Sequence, residues 1–200
     1  MIKSNGLGNI YKSVRLGVWA TGKQNSRLLD QAFRENDHIV LLFSANESGG
    51  FQGYARMASP PLPGLHPNLW GSFSVRLGAN FRVQWLKQCK VEFEKFNGLT
   101  NPLNDGQPIR KSRDCQEVPL ALAGIICTVL DSAPDEDLLA GTDEAKLSRI
   151  DHQSTFFELP EEQKRAVEDS LGISSDEPTP QSYVNRNSPA RLSHFRNMPY

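Results

Sequence analysis

A chain of 200 residues and 22.3 kDa, 38% apolar, 22% charged and with a net charge of −1, fits one water-soluble globular domain of ordinary size with room for an extension. No apolar run approaches the ~18 residues of a membrane span, and no apolar stretch follows Lys3, which excludes an integral membrane protein and a signal peptide. Three cysteines without close pairing, Cys89, Cys115 and Cys127, speak against a disulfide framework or a Cys-x-x-Cys zinc site and for a reducing compartment.

Taken in chain order, residues 25–36 place Leu28, Leu29, Ala32 and Phe33 at helical spacing behind Asn25 or Ser26 as N-cap. Residues 39–44 (IVLLFS) are short, apolar and partly β-branched, and predict a buried strand. The turn Glu47-Ser48-Gly49-Gly50 then returns the chain into an alternating strand over 51–57. Four prolines and a glycine make 59–67 an irregular loop. Phe81, Val83 and Trp85 alternate with Arg82 and Gln84, a half-buried strand, whereas 97–113 is rich in turn residues. Residues 119–130 (PLALAGIICTVL) predict an apolar helix with Pro119 in its first turn. Beyond Asp131 the signals weaken: 160–171 reads as an exposed helix, and 174 onward as disordered.

Charge divides the chain at the same place. Residues 1–132 hold 15 Lys and Arg against 10 Asp and Glu, a net of +5, while 133–200 hold 7 against 13, a net of −6. Twelve of the 17 aromatics, including all three tryptophans, lie in the first part. This predicts a folded domain over 1–132 with an anionic partner, followed by an acidic extension over 133–200, partly helical or disordered.

Motifs for catalysis are weak. The glycines at 49, 50 and 53 precede a strand, not the helix of a dinucleotide site, and Gly22-Lys23 lacks the rest of a phosphate loop. His38 and His66 have no cysteine or carboxylate at metal-ligand spacing. Cys115 has no histidine near it in sequence to serve as base. The tryptophans are more informative. Trp85 matches the parity of Phe81 and Val83 and reads as core, but Trp19 and Trp70 lie at loop junctions, outside any periodic apolar segment, where binding sites commonly sit.

A series of segments now stands out: Lys3-Ser4-Asn5 with Asn9, Gly17-Val18-Trp19, Phe43-Ser44 with Ser48-Gly49 and Phe51-Gln52-Gly53, Phe81 to Trp85, Asn101-Pro102, and Ser112-Arg113-Asp114 with Gln116-Glu117. In this order, from residue 3 to about 131, the chain resembles a YTH domain, the module that binds N6-methyladenosine in RNA. Trp19-Ala20-Thr21, Asn101 to Asp105 and Arg113 to Glu117 are similar in wording to a subgroup of plants and apicomplexan parasites. There the domain is attached to the zinc-finger subunit of the cleavage and polyadenylation specificity factor. On that likeness the chain is a piece of a longer protein.

The resemblance implies an α/β fold, a curved barrel-like mixed β-sheet covered by helices, with a largely irregular acidic C-terminal extension. It implies a pocket walled by Trp19, Trp70 and Leu77, with Tyr54 and Phe73 as alternatives near the third wall. Asn9 matches the residue that bonds the base edge, Asn5 and Ser4 belong to the pocket, and Ala20 supplies a main-chain carbonyl for the remaining N6–H. Asp114 lies at the rim. Lys3, Arg110 and Arg113 match positions that face phosphates, although Arg113 and Asp114 could also form a local ion pair. The function implied is that of a monomeric, non-enzymatic reader without cofactor or metal. It binds methylated single-stranded RNA, in the nucleus or alternatively the cytoplasm, with other subunits of the polyadenylation machinery as partners. Two alternatives stand beside it: a fold-retaining RNA binder with weak or no methyl selectivity, because leucine replaces an aromatic wall, and an RNA-modifying enzyme. The latter lacks the His-x-Glu and Cys-x-x-Cys of a zinc deaminase, and the two histidines and carboxylate of an iron demethylase.

Overall fold

A computed structural model describes residues 1–140, 142 and 143. The helix read over 160–171 and the irregular stretch from 174 lie outside them.

Five strands form a mixed sheet: β1 (Ile2–Ser4), β2 (Val18–Trp19), β3 (Val40–Ala45), β4 (Gly50–Met57) and β5 (Phe81–Glu92), in the order β1-β3-β4-β5-β2. β1 runs parallel to β3, with Ile2 opposite Phe43, and the remaining pairs are antiparallel. The helices are α1 (Leu7–Leu16), α2 (Lys23–Glu35) and α3 (Leu120–Ser132). Two short strands, β6 (Thr100–Asn101) and β7 (Gln107–Pro108), pair within the turn-rich segment.

β3 explains its own composition. It is covered on both faces, so Leu41 and Phe43 enter one core and Leu42 the other, and the sequence reads as an unbroken apolar run. The first core packs the sheet against α1 and α2 through Ile10, Val14, Leu29 and Phe33. The second packs it against α3 through Phe51, Cys89, Val91, Ile126 and Leu130. At Gly53 the backbone has φ 118°, and a Cβ there would collide with the carbonyl of Lys87, so the β4–β5 register shifts around it.

β5 runs seven residues beyond the alternation read over 81–85, and its pairing with β4 skips Leu86: Ala55 faces Trp85 and Tyr54 faces Lys87. Lys87 is thereby buried, and its Nζ donates to the Ala133 carbonyl and pairs with Asp135, both at 2.7 Å. Glu136 N donates to the Gln88 carbonyl at 2.9 Å, and Leu138 packs on the first core. The residues following α3 therefore strap across β5.

Burial pushes the Cys89 thiol up to about 11 and those of Cys115 and Cys127 to about 12. An unfolded thiol ionises near ~8.5, so above that pH the unfolded chain releases protons that the folded chain keeps. This contribution to stability is complete below about pH 8.5 and falls as pH rises toward the folded values. The urea midpoint should accordingly be lower at pH 10 than at pH 7. Iodoacetamide at pH 8 should label the native thiols far more slowly than the unfolded ones. Equal labelling rates in both states would contradict the burial argument.

Candidate nucleic-acid interface

β1 and β3 are parallel neighbours, and their carboxyl ends open at one edge of the sheet, where open α/β sheets place their ligands. Ser4 and Asn5 leave β1 there and Asn46 leaves β3, its N–H donating to the Ser4 carbonyl at 2.8 Å. Ser4 Oγ donates to the Gly6 carbonyl at 2.7 Å, turning the chain into α1, whose first turn carries Asn9. Trp19 ends β2 opposite Phe81. Trp70 closes the proline loop, and a 3-10 turn (Gly71–Arg76) leads on to Leu77.

These segments enclose a cavity of about 340 Å³, lined by Lys3, Ser4, Asn5, Asn9, Trp19, Ala20, Thr21, Gly22, Asn46, Trp70, Phe73, Arg76, Leu77 and Asp114. Its size lies at the lower end of small-molecule sites, which run about 300–1,000 Å³. The two indoles meet edge to face, with centroids 5.3 Å apart and planes at 67°. Both also belong to the first core, and their surfaces are 4% and 8% exposed, so each ring is part packing and part cavity wall. Leu77 is fixed through its backbone. It bridges to Gly22, and Gly78 N donates to the Thr21 carbonyl at 2.8 Å. Gly78 makes that approach possible, since a Cβ there would collide with the side chain of Ser26 on α2.

The polar side is equally ordered. The Asp114 carboxylate accepts from Lys3 N at 3.0 Å and from Asn25 Nδ2 at 3.1 Å. Lys3 Nζ lies 3.4 Å from Ser44 Oγ and from the Arg110 carbonyl, and 4.9 Å from the centroid of the Phe93 ring. Partial burial lowers the Lys3 pKa.

Nine of the eleven residues expected at the site from the sequence line this cavity: Trp19, Trp70, Leu77, Asn5, Asn9, Ala20, Ser4, Asp114 and Lys3. Arg110 and Arg113 do not. Both are exposed nearby, Arg113 immediately before Asp114, whose carboxylate is held by Lys3 and Asn25. Tyr54 is not near the third wall. It belongs to the second core, and its hydroxyl donates to Asp131 on α3 at 2.8 Å. Phe73 does line the cavity and is 51% exposed. Thr21, Gly22, Asn46 and Arg76 complete the lining: the first two follow Trp19-Ala20, Arg76 precedes Leu77, and Asn46 lies between the segments Phe43-Ser44 and Ser48-Gly49.

The family model for the YT521-B-like domain, YTH, matches residues 1–131. The chain belongs to the YTH family. Its α/β architecture, a curved barrel-like mixed sheet covered by helices, is the YTH fold. The Toxoplasma CPSF4 YTH domain, solved in complex with a 7-mer m6A-modified RNA, is 61% identical with a TM-score of 0.68, over 70% of this chain and 94% of that one. The YTH domain of Zygosaccharomyces rouxii MRB1, solved with N6-methyladenosine RNA, is 31% identical with a TM-score of 0.61, over 67% of this chain and 86% of that one. Among curated proteins, the 30-kDa cleavage and polyadenylation specificity factor 30 of Arabidopsis thaliana is 35% identical over 77% of this chain. The zinc finger CCCH domain-containing protein 45 of Oryza sativa subsp. japonica is 33% identical over 88%. The chain spans about a quarter of the length of these two relatives.

Proposed function

We propose that this YTH chain captures N6-methyladenine of a single-stranded RNA in the cavity between Trp19, Trp70 and Leu77. The observation that carries the reading is the joining of two indoles and an aliphatic wall with the amides of Asn5 and Asn9 in one small cavity beside Lys3.

The chemistry suits a flat, neutral base. Stacking on an aromatic wall contributes about 1–3 kcal/mol. Burying the methyl adds about 0.8 kcal/mol. Unmethylated adenine would instead place a second N–H against apolar walls, a cost of about 1–3 kcal/mol. Together these terms give discrimination on the order of ten- to several-hundred-fold by binding alone. In this reading Asn9 bonds the base edge, the Ala20 carbonyl accepts the remaining N6–H, and Asn5, Ser4 and Asp114 shape the polar side. The cavity's ionisable side chains, Lys3, Arg76 and Asp114, then serve binding, and no reaction is assigned to them. The aliphatic third wall favours one second reading, an RNA binder of the same fold with reduced methyl selectivity.

The proposed RNA-binding part spans 1–132, and 133–200 is its acidic extension. Likeness to the Arabidopsis and Toxoplasma polyadenylation factors supports a place in mRNA 3′-end processing, in the nucleus and alongside other subunits of that machinery. Competition tests the pocket reading directly. The nucleoside N6-methyladenosine should displace a labelled methylated RNA, and adenosine at the same concentration should not. Equal displacement by the two nucleosides would refute it.

The phosphate contacts separate by salt. Lys3, Arg110 and Arg113 are proposed to neutralise phosphates, so Arg113→Ala should flatten the plot of log affinity against log salt by about 0.7. Asn9→Ala should weaken binding at every salt concentration and leave the slope alone. An unchanged slope in Arg113→Ala would remove that residue from the site.

A further inference from the structure

The two indoles of the cavity are held by different means. Trp19 is placed by packing, with the Phe43 ring against it at 5.1 Å and its own Nε1 buried without a hydrogen-bond partner among the described residues. Trp70 is tethered: its Nε1–H donates to Asn80 Oδ1 at 2.7 Å in a buried pair. The same amide donates through Nδ2 to the carbonyls of Leu65 at 2.6 Å and His66 at 2.9 Å. The main-chain carbonyl of Asn80 accepts from Leu62 N at 2.8 Å. One residue, at the foot of β5, thus joins the proline loop to the tryptophan that ends it.

The loop needs such a clip. It passes through left-handed backbone at Gly64, His66 and Asn68, and non-glycine residues hold that conformation only where their surroundings over-determine it. The ring needs it too. A planar wall offers its face or its edge according to rotation about its side-chain bonds, and only one rotation aims Nε1 at Asn80. Asn80 does not line the cavity.

We propose that Asn80 is a positioning residue that fixes the surface Trp70 presents to the cavity, so that selectivity for the methylated base runs through the Trp70–Asn80 hydrogen bond. This rests on the reading of the cavity as a methyladenine pocket. Without Asn80 the indole N–H and the Leu65 carbonyl lose their partner together, the His66 carbonyl keeps only Leu69 N at 3.3 Å, and the wall is held by packing alone.

The test is isothermal titration of the whole 200-residue chain with a short RNA bearing one N6-methyladenosine and with its unmethylated counterpart. Asn80→Ala should weaken binding of the methylated RNA about tenfold and of the unmethylated RNA by less than about twofold, the effect of one buried hydrogen bond acting through the wall. In a Trp70→Phe background, which has no indole N–H, the same substitution should cost less than about twofold more. Asn80→Asp keeps an acceptor for Trp70 and loses the donors to the loop. It should melt at a lower temperature yet retain the methyl preference, which also decides the matter if Asn80→Ala does not fold. Equal losses on both RNAs, a full tenfold loss in the Trp70→Phe background, or loss of preference in Asn80→Asp would each show that Asn80 serves the loop alone. A wild-type chain without methyl preference would overturn the pocket reading itself, and this inference with it.

Discussion

Replacing Trp19 or Trp70 with alanine is expected to weaken binding of methylated RNA by about 1–3 kcal/mol, the value of one stacking wall. The expectation follows from where the rings sit. Each lines the cavity, and each touches the other at 5.3 Å, so removing one opens the pocket and leaves its partner's edge unsupported. Unmethylated RNA gains little from the walls and should lose little. Because both rings are also core, each variant needs its fold checked by circular dichroism before titration. Equal losses on the two RNAs would assign the tryptophans to the fold and not to the base.

A larger effect, on stability, is expected at Phe43. This ring is fully buried on β3, in contact with Trp19 edge to face at 5.1 Å and with the tilted Trp85 ring at 4.6 Å. Trp85 is itself pinned, its Nε1–H donating to Ser13 Oγ on α1 at 3.1 Å. Phe43→Ala removes the ring that both indoles contact and should cost about 3–5 kcal/mol, read as a drop in the urea midpoint at constant slope. Phe43→Leu keeps most of the volume and should cost less. A loss under about 1 kcal/mol for the alanine variant would mean that neighbouring side chains collapse into the space and that Phe43 does not hold Trp19 in place.

The parts of this fold that announce themselves in sequence are those with an apolar pattern, periodic or continuous. The apolar stripe of α2 and the continuous runs of β3 and α3 were readable because each has a face, or two faces, to bury. The observed α2 begins at Lys23, two residues before the predicted start, since no side chain caps it at Gly22. α1 gave no comparable signal: it follows Gly6 without a side-chain cap, has Gly8 in its first turn, and fully buries only Ile10 and Ser13. β1 and β2, of three and two residues, are too short for any alternation to register. In β5 the odd positions stay buried or half-buried on both sides of the bulge at Leu86, but Lys87 occupies one of them, and a lysine at an inward position hid the rest of the strand. The site was legible for a different reason. Its residues share no periodicity, and only their order along the chain, matched to a family, brought Lys3, Asn9, Trp19, Trp70 and Asp114 together. What that order could not supply were the contacts made by folding: Asn80 behind Trp70, Gly78 against Ser26, Asn46 beside Ser4.

Everything proposed for the cavity depends on its reading a methyl group. The most direct test is isothermal titration of the unmodified chain with two single-stranded RNAs of identical sequence, differing only by one methyl on N6 of a central adenosine. Tighter binding of the methylated strand, on the order of ten- to several-hundred-fold, is the predicted result. Equal affinities for the two strands would contradict it.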